Sequence, residues 1–218
     1  MIDFANQMGS PKPFHDVLEL ADRLSGLDGP WYIAGGWAID LYLGGQRRDH
    51  KDVDIAIFRQ DQLAIQAYFL DRGWKLWKYI GDSERVEPWS VGEQLTLPDR
   101  GIFAEPLDVA MPRMDILLSE QNGDRWYYHV DSRITHPIKT LGLRSDLGVP
   151  FLSPEIVLLF KARHVSIEHP YDLAHQETDQ KDFQDVRRFL TAERRAWLAE
   201  AIRLLYSNHP WLPYLTQG

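Results

Sequence analysis

A chain of 218 residues, 44% hydrophobic and 26% charged, has the composition of a globular protein with room for one large or two small domains, which excludes a disordered or fibrous protein. The absence of cysteine excludes disulfides, thiolate metal sites and a cysteine nucleophile. The net charge of −8 lies mostly in residues 1–140, with 22 acidic against 15 basic side chains; such a surface aids solubility, repels nucleic acid and attracts a metal ion or a polycationic small molecule.

In chain order, the opening MIDFANQMGSPKPF lacks the basic and apolar regions of a signal peptide, and no later run approaches the roughly 20 apolar residues that span a bilayer; the expected location is cytoplasmic. Apolar residues at Phe14, Val17, Leu18, Leu20, Ala21 and Leu24 have helical spacing. Trp31 to Ala34 reads as a buried strand ending at Gly35-Gly36, and Trp37 to Leu43 as a short helix stopped by Gly44-Gly45. From Asp52 to Phe58, β-branched Val53, Ile55 and Ile57 alternate with Asp52, Asp54 and Ala56, the pattern of a strand with one apolar face. Gln62 to Arg72 follows as a helix and Lys75 to Tyr79 as a strand. Residues 81–108 read as long loops around a hairpin, where an acceptor pocket would vary. Met114 to Leu118 predicts a strand, paired to Trp126–Val130 through the turn Gln121-Asn122-Gly123-Asp124. Beyond about residue 140 the pattern is helical: Ser153-Pro154-Glu155 opens a helix to Val165 with Ser153 as N-cap, and further helices are predicted over Thr178–Leu190 and Ala192–Tyr206.

The sharpest chemical feature is Asp52-Val53-Asp54. Residues i and i+2 on a strand share a face, so two carboxylates stand side by side and repel; a cation between them relieves that repulsion. A bare pair of this kind is more often a solvated strand edge. Here the pair follows a Gly-Gly turn that exposes backbone N–H groups at a helix start, where a triphosphate can bind.

The run Ile33-Ala34-Gly35-Gly36-Trp37-Ala38-Ile39-Asp40, then Leu43-Gly44, then Arg48-Asp49-His50-Lys51-Asp52-Val53-Asp54, resembles the N-terminal signature of the polymerase-β-like nucleotidyltransferase superfamily. Within it the chain is similar to the branch of aminoglycoside and lincosamide nucleotidyltransferases. The resemblance implies an α+β fold: a catalytic domain over residues 1–140 with a small mixed sheet flanked by helices, and a small helical domain over 141–218 closing the cleft. It implies two Mg²⁺ ions held by Asp52, Asp54 and a third carboxylate. Asp115, inside the better strand, is preferred for that role over Asp108, as metal ligand or as the base for the attacking hydroxyl. Gly35, Gly36, Arg48, Lys161 and Lys181 are the expected nucleotide-binding residues, with Lys161 on an apolar helix facing the cleft and Lys181 in a Lys181-Asp182 element completed by Asp185. Asp40 reads as a structural hydrogen-bond acceptor and His50 as part of a basic turn. His164, His169 and His175 read as surface histidines, and Trp89 as the tryptophan best placed for ring stacking.

The implied activity is transfer of a nucleoside monophosphate, AMP, from Mg-ATP to a hydroxyl of a small molecule, an aminoglycoside-like cation being the first acceptor to try, with release of pyrophosphate. Two alternatives stand beside it: a toxin-like transferase acting on a protein or RNA, and a nucleotide-binding regulator without turnover.

Overall fold

The computed structural model describes residues 13–81, 85–107, 113–165 and 173–216, and of residues 173 and 174 the backbone only. Its first helix, α1 (His15–Arg23), buries Val17 and Leu20, one stripe of the expected helical spacing. Strand β1 (Trp31–Ile33) leads directly into α2 (Gly35–Leu43), which starts at the glycines rather than after them. Six α2 residues are buried, because the helix lies between the sheet and later helices; a helix apolar on all sides belongs in such a place. Gly44 ends it with φ 74°, a conformation open to glycine, and its N–H bonds Asp40 O.

Strand β2 (Val53–Phe58) is followed by α3 (Gln62–Asp71), β3 (Lys75–Tyr79), β4 (Val86–Pro88), β5 (Gly101–Glu105) and β6 (Met114–Asn122). Residues 89–99, expected as part of an acceptor-pocket region, are pinned onto α3. Gln62 exchanges two hydrogen bonds with the Leu95 backbone, and Gln66 accepts from Gly92 N and donates to Ser90 O. Both glutamines are buried, so the segment is a structural strap. The hairpin from β6 to β7 (Arg125–Tyr128) turns at Gly123 as expected, and β8 (Asp131–Pro137) extends it.

Strands continue past residue 140, contrary to the sequence reading. After the one-turn α4 (Ile138–Leu141), β9 (Gly142–Arg144) and β10 (Pro150–Leu152) join the main sheet, with β10 parallel to β1. Three-residue strands are too short to show a period of two, so their sequence carries no pattern to detect. The sheet order is β4-β3-β5-β6-β2-β1-β10-β9, mixed, with β2 parallel to β6. Helices α5 (Pro154–Val165), α6 (Leu173–Val186), α7 (Ala192–Leu205) and α8 (Leu212–Thr216) pack together after it, completing an α+β fold. Ser153 Oγ, expected as a cap, is buried without a hydrogen-bond partner; the first α5 amides instead reach the Ser153 carbonyl. Helix α6 starts and ends earlier than predicted. Among the described residues no helix is long and apolar enough to cross a membrane.

Candidate active site

Strands β2 and β6 run parallel with Asp54 opposite Asp115, so both carboxylates stand on one face of the sheet. The opposite face is core: Val53, Ile55 and Ile57 of β2, and Met114, Ile116 and Leu118 of β6, are buried. Asp52 immediately precedes β2 and is exposed. Packing around Asp54 pushes its carboxyl up to about 7, with repulsion from Asp52 and Asp115 adding to the effect and Lys161 and Arg48 opposing it. Burial also raises the Asp115 carboxyl, while a hydrogen bond from Tyr79 Oη to Asp115 Oδ1 at 2.8 Å pulls the other way. Asp108 lies outside the described residues, as does His169.

Gly35 and Gly36 form the first turn of α2 beside these carboxylates. Gly35 has φ 58°, and a Cβ on it would fall 1.9 Å from Asp54 Oδ2; a Cβ on Gly36 would fall 2.3 Å from the Arg48 guanidinium. The glycines therefore let Asp54 and Arg48 close in over the turn, where any side chain would collide with them. Arg48 is half-buried, and its Nε is a buried donor with no hydrogen-bond partner among the described residues. His50, expected as a basic turn residue, is instead packed: its ring stacks on Trp37 at 4.1 Å, and its Nε2 is 2.8 Å from Asp40 Oδ2. Trp37 donates Nε1 to Asp52 O, tying the helix start to the entry of β2.

Asp40 is the structural acceptor expected of it, with a partner the sequence reading passed over. Arg47 donates Nε to Asp40 Oδ1 (2.6 Å), Nη2 to Asp182 (2.7 Å) and Nη1 to Asp185 (2.6 Å). The acids of the Lys181-Asp182 element thus hold Arg47, and Lys181 itself is exposed. Lys161 lies within electrostatic reach of Asp54, yet its ammonium is paired to Asp179 and, at 3.0 Å, to Asp182. The expectation that Lys161 is a phosphate ligand therefore meets a competitor, because a buried lysine draws the nearest carboxylates.

Two readings are corrected. Trp89 is buried and donates to Glu93 O, so it is core rather than a stacking surface. His164 is no free surface histidine, since its Nδ1 is 2.6 Å from Asp179 Oδ2; His175 is exposed, with its ring 6.2 Å from that of His164. Arg47 and Tyr79 carry no local pattern that marks them: Arg47 meets Asp182 and Asp185 135 and 138 residues away, and Tyr79 meets Asp115 36 residues away.

Among the described residues no three His, Asp or Glu side chains form a ready-made metal cage. Mg²⁺ needs none, as it takes one or two carboxylates and fills its remaining positions with phosphate oxygens and water. Asp52 and Asp115 lie within electrostatic reach of the half-buried Asp54, whose carboxyl is displaced to about 7, and that repulsion is one a cation would relieve.

A family model described as aminoglycoside-2''-adenylyltransferase matches residues 16–186. No curated protein matches by sequence. Among solved structures, the antibiotic-resistance factor ANT(2'')-Ia in solution is 22% identical, with 89% of this chain and 91% of that one covered and a TM-score of 0.55. The crystal structure of ANT(2'')-Ia with adenylyl-2''-tobramycin is 18% identical over 88% and 96%, TM-score 0.55. Lincomycin-bound LnuA, a lincosamide antibiotic adenylyltransferase, is 16% identical over 78% and 96%, TM-score 0.51. At these identities the structural likeness is one of fold.

Proposed function

The chain belongs to the aminoglycoside-2''-adenylyltransferase family, and from that premise we propose that it transfers AMP from Mg-ATP to a hydroxyl of a small cationic molecule, an aminoglycoside-like acceptor, releasing pyrophosphate. The observation that carries the reading is the pairing of Asp54 with Asp115 across adjacent parallel strands, with Asp52 just ahead of β2. These carboxylates would hold up to two Mg²⁺ ions, which when bound neutralise phosphate charge and acidify the acceptor hydroxyl. The first turn of α2 at Gly35 and Gly36 would offer its amides to the triphosphate, and Arg48, whose Nε has no hydrogen-bond partner among the described residues, would supply a charge-assisted donor. Lys161 adds positive charge beside Asp54. The acceptor oxygen bonds to the α-phosphorus as the bond to the pyrophosphate oxygen breaks, and Asp115 would take the hydroxyl proton or ligate the metal. The net negative front half favours a cationic acceptor.

The test is pyrophosphate release from each of four NTPs against aminoglycosides, lincosamides and simple polyols. ATP with an amino sugar is the expected productive pair. Binding of Mg-ATP with no release for any acceptor would make the protein a regulator; labelled transfer only onto macromolecules of a lysate would make it a toxin-like enzyme.

A further inference from the structure

Asp115 stands on β6 with its cross-strand neighbour Phe103 on β5, and Tyr79 reaches it from β3, one strand further out. Tyr79 spans that distance because the residue beneath its ring is Gly101: a Cβ there would fall 2.9 Å from Tyr79 Cδ2. A phenol packed against a glycine, with its hydroxyl on a half-buried carboxylate, has little freedom to rotate. The bond occupies Asp115 Oδ1 from the β3 side and leaves Oδ2 as the oxygen that Tyr79 does not engage, on a residue paired across the sheet with Asp54 of β2.

We propose that Tyr79 is a positioning residue, and that together with Gly101 it fixes the Asp115 carboxylate so that Oδ2 alone serves the reacting centre. The proposal rests on the reading of Asp115 given above. It also gives the β3–β4 hairpin a function, since the strand that carries Tyr79 extends the sheet beyond the carboxylates and sets the orientation of one of them.

A double-mutant cycle tests it. Tyr79→Phe keeps the ring and removes the hydroxyl; it should lower kcat about 10–100-fold, the loss expected for a hydrogen bond to a charged group, with the acceptor KM changed by less than about two-fold. In an Asp115→Asn background the same change should add nothing, because the carboxylate it orients is gone. Gly101→Ala, which displaces the ring, should reproduce the kcat loss. In protein carrying ¹³C-labelled aspartate, the carboxyl resonance that disappears in Asp115→Asn should shift in Tyr79→Phe and in Gly101→Ala. An unchanged kcat in Tyr79→Phe, a loss confined to KM, or full additivity with Asp115→Asn would overturn the inference while the site reading stood. Near wild-type turnover of Asp115→Asn would overturn the site reading, and this inference with it.

Discussion

Two acidic clusters lie on either side of Lys161, and they differ in how their charge is balanced. Asp40, Asp179, Asp182 and Asp185 are met by Arg47, Lys161 and two histidines, and the Asp40 and Asp179 carboxyls sit below the ordinary range despite being buried. Among the described residues, Asp52, Asp54 and Asp115 have no ion-pair partner. Lys161 and Arg48 lower the Asp54 carboxyl only from a distance, and burial and its neighbours still hold it at about 7. Matched charge binds α6 to the loop after α2, whereas unmatched charge is a cost that a bound cation removes. Acidic residues in one small molecule thus divide into a matched and an unmatched set by their partners rather than by their spacing, and the proposed function assigns the unmatched set to the metal.

The largest effect should come from Asp54→Asn, which should reduce transfer by roughly 10³-fold or more if the unmatched cluster is the metal site. The same change should stabilise the metal-free protein. The sign follows from the raised carboxyl: between about pH 4 and 7 the folded protein keeps a proton that the unfolded chain has lost, so stability falls as pH rises through that window and the penalty is complete above 7. Thermal unfolding in a chelator should therefore decline from pH 4 to 8 in the wild type and stay flatter in the variant, with a gain at pH 8 on the order of 1–3 kcal/mol. A destabilised variant would erase the distinction between the clusters.

Asp115→Asn should cut transfer by at least about 10²-fold. If the residue ligates metal, the Mg²⁺ needed for half-maximal rate rises; if it is the base, that requirement holds and the acidic limb of the pH–rate profile flattens. Across Lys161, Arg47→Met should instead act on stability. It takes the guanidinium from Asp40, Asp182 and Asp185 and leaves Asp40 only His50 and Asp182 only Lys161, for a loss of up to about 3–5 kcal/mol read from urea denaturation. A stability close to wild type would place Arg47 outside any structural role.

The smallest effects should separate the two lysines. Lys161→Ala removes a charge within reach of Asp54 and should lower transfer efficiency about 10–100-fold, together with some stability because Asp179 and Asp182 lose a partner. Lys181→Ala, on an exposed position, should change stability by less than about 0.5 kcal/mol and leave the ATP KM in place. A larger effect on the ATP KM would return Lys181 to the nucleotide.

Local chemistry made much of the molecule legible from its sequence. Alternation of β-branched residues with aspartates marked β2 and the pair at its start, glycine marked the helix-start turn, and apolar spacing marked α1 and α5. Those features depend on neighbours within a few residues, so their pattern is written in the chain. Tertiary structure alone decided which charges meet. Arg47 reaches Asp182 and Asp185 across more than 130 residues, Lys161 is drawn to Asp179, and Tyr79 finds Asp115 across an intervening strand. It also decided that Trp89 fills core and that β9 and β10 complete the sheet. The reason is physical: hydrophobic period and turn chemistry act locally, while electrostatic pairing acts through space and follows whatever neighbours the fold supplies.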